Sequence, residues 1–211
     1  GLKEAGAELI LATHNNDKDV KILTSSIPAT ILSADLRDPH EVERLISETL
    51  EATNQLDIIV NNAALQNVEK LVEIDSDSWD AVLETNLRSV HLLMRAAIPA
   101  LEKSANASIV NIASIEGHQP AKSHSHYSTS KAGLLMLTKS AALEYADFDI
   151  RINSVSPGLI DDGNLEKRWP EGFKRWLDSV PLGRAGTPKD VADAVIFLSS
   201  PMARWVTGSD L

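Results

Sequence analysis

Tyr127 and Lys131 stand four residues apart in Tyr127-Ser128-Thr129-Ser130-Lys131, a spacing that puts both side chains on one face of a helix. A phenol ionises near pH ~10, too high for an acid/base partner at neutral pH. A neighbouring ammonium favours the phenolate, and the pair can then exchange a proton with a carbonyl or alcohol oxygen. The spacing alone also fits a surface tyrosine beside a solvated lysine. Ser114 follows the apolar stretch 107–113, where its hydroxyl can bond the same oxygen, or merely cap a turn. Asn61-Asn62-Ala63-Ala64 follows the apolar stretch 56–60. Its small residues let backbone approach a flat ligand, although an Asx turn reads the same way.

These residues need a scaffold, and the pattern supplies one. Short apolar runs at 8–12, 29–33, 56–60, 107–113 and 150–155 read as strands. Helical patterns alternate with them. The first opens with Asp38 as cap, Pro39 in the first turn and Glu41 three after the cap, and Val42, Leu45, Ile46, Thr49 and Leu50 share a face. A long amphipathic helix is expected over 79–101 and another over 127–145. A last one over 191–198 is capped by Thr187, with Asp190 in the first turn. Such alternation implies parallel strands joined by right-handed crossovers, hence a Rossmann-like, doubly wound α/β sheet with helices on both faces. In such sheets ligands bind at the strand C-termini, where Asn61 and Ser114 lie. With no repeat or linker, residues 1–211 are read as one domain.

Composition narrows the function classes. The net charge of −10 repels a phosphate backbone, so nucleic acid is not expected as a partner. No apolar run has the length of a membrane span, and no signal-peptide pattern opens the chain. Cysteine is absent. That excludes disulfides, thiol catalysis and cysteine-ligated metal, and fits a cytoplasmic protein.

Asn61-Asn62-Ala63-Ala64, Asn86 in Glu84-Thr85-Asn86-Leu87, Ser114, Tyr127 to Lys131 and Arg151-Ile152-Asn153-Ser154-Val155-Ser156-Pro157-Gly158 together resemble the motif series of the short-chain dehydrogenases/reductases. The likeness is to 3-oxoacyl-carrier-protein reductases and glucose-dehydrogenase-like members. It extends to Pro181-Leu182-Gly183-Arg184 and Trp205-Val206-Thr207-Gly208. The resemblance implies hydride transfer between a nicotinamide cofactor and a carbonyl or secondary alcohol. Tyr127 would be the acid/base, and Lys131 would lower its pKa and hold the ribose hydroxyls. Ser114 would orient the carbonyl, while Asn86 would kink its helix and hold a water. Asp35 and Leu36 would lie at the adenine, and Asn62, Ala63 and Ala64 along the adenosine. Pro157, Gly158 and Ile160 would border the nicotinamide. It further implies a homotetramer built on the helices that carry Asn86 and Tyr127. Leu92, Leu93, Ala96, Ala97, Leu134, Leu135, Leu137 and Thr138 would be its apolar surface, shared with the core.

Cofactor choice turns on the residue after the second strand of the dinucleotide fold, where a carboxylate selects NAD. Thr13 stands there, followed by His14, a donor to a 2′-phosphate, so NADP is expected, with Asp17 keeping NAD open. The sequence also departs from the family. Residues 1–7 look like the end of the first helix, so the first strand and its glycine-rich phosphate loop are expected to be missing, as is the last strand. The strands at 8–12 and 56–60 should then be separated by an empty lane or bridged by another segment, and residues 1–211 alone are not expected to bind dinucleotide tightly. Asp161-Asp162 follows Ile160 where the family often has a threonine. His118, His124 and His126 lack an interleaved carboxylate and are read as flanking the substrate mouth, not as a metal site. Trp169, Phe173 and Trp176 recur at helical spacing as a lid or as core packing. The competing reading is a non-catalytic, oligomerising or binding relic.

Overall fold

A computed structural model of the chain describes residues 1–14 and 27–211. Asp17, with Asn15 and Asn16, lies outside the described residues. The strands are β1 (Ile10–Thr13), β2 (Thr30–Ser33), β3 (Ile58–Asn61), β4 (Ser108–Ile112) and β5 (Arg151–Val155). The helices are α1 (Pro39–Thr53), α2 (Ser76–Leu83), α3 (Ser89–Leu101), α4 (Ser125–Glu144), α5 (Leu165–Arg168), α6 (Pro170–Leu177) and α7 (Pro188–Ser199).

All described strand pairs are parallel, but they form two sheets where one was expected. β1 pairs with β2, Ile10 opposite Thr30. β3, β4 and β5 pair in that order, with Ile59 opposite Ile109 and Ile109 opposite Ile152. Among the described residues no strand joins β1 to β3. A cleft of about 810 Å³ runs between them, lined by Glu8, Ile10 and Ala12 on one side and Ile58, Val60 and Asn62 on the other. The two strands do stand apart as expected. At the opposite edge, residues 208–211 run beside β5. Ser154 N–H donates to Ser209 O (2.9 Å), and Leu211 N–H to Ser154 O (3.1 Å).

Side chains of β4 alternate between two cores, as a strand covered on both faces requires. Ile109 faces Ile59, Ile152, Met94, Ala97, Leu101 and Leu134, which fill the space beneath α3 and α4. Val110 faces Val155, Val195 and Leu198 beneath α7. The helix starts follow their caps. Asp38 accepts from His40 N–H (2.8 Å) ahead of Pro39. Thr187 and Asp190 form a reciprocal capping box on α7. Asp75 accepts from Ser78 N–H (2.8 Å), so the helix expected from residue 79 begins at Ser76.

That helix is also not continuous. A π-helical turn, Glu84–Arg88, interrupts it, and Ser89 N–H reaches back five residues to Glu84 O. Such π-turns inside helices frequently mark functional positions. Here the turn carries Asn86.

Candidate active site

The C-terminal ends of β3, β4 and β5 and the first turns of α4 converge on one place. Ala113 N–H donates to Val155 O (2.8 Å) and Ile115 N–H to Pro157 O (3.1 Å), so the segments leaving β4 and β5 are pinned side by side. Ser114, buried and extended, lies between those two bonds. Its Oγ accepts from Glu116 N–H (3.1 Å), which starts the 3₁₀ turn Ile115–Gly117. That turn presses on α4. A β-carbon on Gly117 would fall 2.8 Å from Leu135 Cδ1 and 3.0 Å from the Lys131 carbonyl, so only glycine fits.

Tyr127 and Lys131 lie one turn apart on α4, both buried. Lys131 Nζ sits 5.6 Å from the Tyr127 ring centre and donates to Ile112 O (2.6 Å). Burial lowers its pKa from 10.5 to about 8. The Tyr127 phenol is pushed up, first by burial and further by the Glu116 carboxylate, while a hydrogen bond with Ser114 pulls it down. Desolvation dominates, and the ammonium is directed at a backbone carbonyl. Tyr127 is a protonated donor at neutral pH.

Asn86 is buried and fully engaged. Its Oδ1 accepts from Leu65 N–H (2.7 Å), and its Nδ2 donates to Leu65 O (2.9 Å) and Ser130 Oγ (3.0 Å). Ser130 Oγ in turn donates to Tyr127 O (2.7 Å). Asn86 thus ties the segment after β3 to the helix that bears Tyr127. Asn61 does not face that way, because its side chain donates to Asn111 (2.7 Å), which donates to Thr138 (2.8 Å) inside the core. Asn62, Ala63 and Ala64 are exposed beyond β3.

The other expected cofactor residues sort into two places. Thr13, His14, Asp35 and Leu36 lie at the C-terminal ends of β1 and β2, where Ala34 N–H donates to Thr13 O (2.9 Å) and His14 lowers the Asp35 pKa by its charge. Arg37 grips both oxygens of Asp35, with Nε at 2.9 Å and Nη2 at 2.7 Å, and the carboxyl falls to about 2 chiefly through that contact. Sequence reasoning missed this fork. Pro157, Gly158 and Ile160 follow β5. A β-carbon on Gly158 would lie 3.0 Å from Trp176 Cζ2 and 3.9 Å from Ile115 Cδ1, so Trp176 of α6 packs over this edge of the site. Asp161 accepts from Gly163 N–H and Leu165 N–H (both 2.9 Å), which explains the acid in place of a threonine as a turn former ahead of α5.

The three histidines diverge. His118 Nε2 meets Asp210 (2.8 Å), His124 Nδ1 meets Glu116 (3.0 Å), and His126 Nδ1 accepts from Tyr127 N–H (3.0 Å).

An α/β fold of parallel strands whose C-terminal ends gather a buried tyrosine, lysine, serine and asparagine defines a class, the oxidoreductases built on a Rossmann-like sheet. The family model described as enoyl-(acyl carrier protein) reductase matches residues 1–211. The chain belongs to the short-chain dehydrogenase/reductase family and is a nicotinamide-dependent oxidoreductase of alcohol and carbonyl groups. It is similar to the 3-oxoacyl-(acyl-carrier-protein) reductase FabG of Chlamydia pneumoniae, 35% identical over 99% of this chain and 86% of that protein. The FabG of Buchnera aphidicola is 37% identical over 83% of this chain and 72% of its own length. Among solved structures, a protein described as a short-chain alcohol dehydrogenase from Sinorhizobium meliloti superposes over 100% of this chain and 86% of its own, with a TM-score of 0.91 and 28% identity. An NADPH-bound short-chain oxidoreductase from Pseudomonas aeruginosa, said to contain an atypical catalytic center, superposes over 100% of this chain and 86% of its own, with a TM-score of 0.88 at 28% identity.

The residues present fit the nicotinamide end of such a cofactor. Lys131 uses one N–H on Ile112 O, which leaves ammonium donors for hydroxyls. Gly158, with no side chain, lies beside Trp176 and Ile115 after β5.

Proposed function

We propose that the protein reduces a carbonyl to a secondary alcohol with NADPH, with Tyr127 as the proton donor. The observation that carries this reading is the buried Tyr127, packed beside Lys131 and near enough to Ser114 for that hydroxyl to pull its pKa down. When bound, the reduced nicotinamide supplies the hydride. Ser114 and Tyr127 donate hydrogen bonds to the carbonyl oxygen and polarise it. As negative charge grows there, the phenol releases its proton to that oxygen. Lys131 holds ribose hydroxyls with its remaining N–H groups and favours the transient phenolate. Asn86 acts by holding the segment 62–65 against α4. Asn62, Ala63 and Ala64 border the adenosine, Pro157, Gly158 and Ile160 the nicotinamide, and Asp35 and Leu36 the adenine. A non-catalytic binding protein would have no physical need for an ammonium desolvated beside a tyrosine.

NADPH is favoured over NADH because Thr13 offers no carboxylate to repel a 2′-phosphate and His14 follows it. The Pseudomonas aeruginosa neighbour is itself NADPH-bound. Comparison of kcat/KM for the two reduced cofactors tests the choice. A higher value for NADPH is expected, and a higher value for NADH overturns it. The FabG relatives suggest a 3-oxoacyl thioester as the first substrate to try.

We also propose a cytoplasmic homotetramer. Among the described residues no helix is long and apolar enough to cross a membrane. The apolar residues expected to form the subunit contact are largely used elsewhere. Leu92, Ala97, Leu134, Leu135 and Thr138 are buried within the protomer. Met136 and Leu143 are exposed instead, and a groove of about 600 Å³ beside Leu87, His91 and Leu137 is open to a partner helix. Light scattering at micromolar concentration should give a species about four times the chain mass, and a monomer would refute this assembly.

A further inference from the structure

His126 is fully buried, yet the roles given above leave it unused. It stands immediately before Tyr127, in the first turn of α4. The first amides of a helix have no partner within it, and the residue ahead of α4, His124, makes no side-chain cap. His126 supplies what the cap does not: its Nδ1 accepts the Tyr127 N–H at 3.0 Å. A backbone N–H can only donate, so Nδ1 must present its lone pair, and the ring proton of the neutral imidazole sits on Nε2. That Nε2–H is buried without a hydrogen-bond partner among the described residues. Glu69 Oε1 lies 3.9 Å from it, too far for a hydrogen bond. Glu69 is held there by the Ser78 hydroxyl, which donates to Oε1 (2.7 Å), and by its own N–H on Ser123 O (2.8 Å). One buried ring therefore stands between the backbone of Tyr127 and a carboxylate from the segment after β3.

We propose that His126 is a positioning residue of the reaction: as a neutral imidazole it holds the backbone of Tyr127 in the first turn of α4, and protonation releases that hold, so that turnover falls at acid pH. An imidazolium carries a donor on both ring nitrogens and has no lone pair left for the Tyr127 N–H. Its charge would also draw Nε2–H and the Glu69 carboxylate together, since opposite charges attract strongly away from water. The ring would then exchange a contact to the helix of the proton donor for one to the segment after β3. The other charged groups around that turn are committed elsewhere. Glu116 receives His124 and the Ser128 hydroxyl, and Lys131 directs its ammonium to Ile112 O. Among the described residues Glu69 is the acid that faces the His126 ring, at 3.9 Å. Tyr127 keeps its proton throughout the acid range, because burial raises its pKa. A loss of reduction there therefore needs a group other than the phenol.

The inference rests on Tyr127 as the proton donor, but its first test needs no turnover. In isotope-labelled protein without cofactor, the nitrogen resonances of the His126 ring should show the Nε2–H tautomer at about pH 8, and the Tyr127 amide should shift in step with His126 protonation as pH falls to about 5. A ring protonated on Nδ1 at the start, a ring that stays neutral throughout, or a Tyr127 amide that ignores the transition overturns the proposal. Turnover supplies the second test. His126→Leu removes the acceptor and should lower kcat by up to about a hundredfold, the scale of loss for a misplaced reacting group, with KM for the carbonyl little changed. His126→Asn has an amide oxygen to accept the Tyr127 N–H and takes no proton. It should recover most of that loss and should not show the fall at acid pH. An asparagine variant that keeps the fall, or that works no better than the leucine variant, overturns the proposal. If these variants do not fold, the tautomer and the amide titration of the unsubstituted protein decide. Undiminished turnover in Tyr127→Phe would instead break the reading of Tyr127 as the acid, and would leave the resonance measurement standing.

Discussion

Four of the five residues of β4 are buried, whereas three of the four residues of β2 are exposed. β4 has a strand on each side and helices over both faces. The β1–β2 pair ends at an open cleft. The residues assigned to proton transfer, Ser114, Tyr127, Lys131 and Asn86, all sit on or against the enclosed sheet. Thr13, His14, Asp35 and Leu36, assigned to the nucleotide, sit on the open one. A proton donor needs desolvation and fixed neighbours to have its pKa set, and the residues packed around β4 and the start of α4 supply both. Residues that meet a charged, solvated nucleotide can act from an exposed edge, held by local ties such as the Asp35–Arg37 fork.

The contrast should be largest in stability. Ile109→Ala, in the core of β4, is expected to lower unfolding free energy by about 2–5 kcal/mol in a denaturant titration. Ile31→Ala on β2 should change it by less than about 0.5 kcal/mol, since Ile31 is already exposed. Equal losses would mean that the two sheets are one cooperative core.

A smaller effect tests the cost of burying the lysine. Its folded pKa, about 8, lies below the ordinary 10.5. Between those pH values the unfolded chain keeps a proton that the folded protein has released, so stability rises with pH across that window. Lys131→Met should abolish this rise and stabilise the protein by about 1–2 kcal/mol at neutral pH, while removing activity. A less stable Lys131→Met protein would show that the bond to Ile112 O outweighs desolvation.

The smallest effect is on the open side. Asp35 titrates near 2 when folded, against an ordinary 3.8. Its contribution is full above the ordinary value and is lost as pH falls through the folded one. Both partners are partly exposed, Arg37 at 40%, so solvent screening limits the gain to a few tenths of a kcal/mol. Acid unfolding of Arg37→Met should begin at slightly higher pH than that of the unsubstituted protein, and an identical profile would leave the fork without energetic weight.

Much of this arrangement was legible beforehand because it is local. Caps such as Asp38 and Thr187 act within a turn, and buried parallel strands read as apolar runs. The motif series placed Ser114, Tyr127, Lys131 and Asn86 together at the strand ends. What was not legible depends on contacts across the fold. Periodicity gave one helix over 79–101, because the π-turn at Asn86 comes from its bonds to Leu65 and Ser130, distant in sequence. The four-residue spacing of Tyr127 and Lys131 says nothing about how deeply both are buried. His124 was placed at the substrate mouth without its partner, and Glu116 passed unnoticed because the pairing closes only when the turn after Ser114 folds onto α4. Of the apolar residues read as a subunit surface shared with the core, Leu134 and Leu135 lie in the core of the folded protomer.

The central claim is that Tyr127 delivers the proton in a nicotinamide-dependent carbonyl reduction. It is tested most directly by following NADPH consumption with an acetoacetyl thioester and a panel of simpler ketones, in the unsubstituted protein and in Tyr127→Phe. Carbonyl-dependent consumption is expected from the first, and a fall of about 10²–10⁴-fold in kcat from the second, the factor lost with a general acid. Undiminished turnover in Tyr127→Phe would contradict the account.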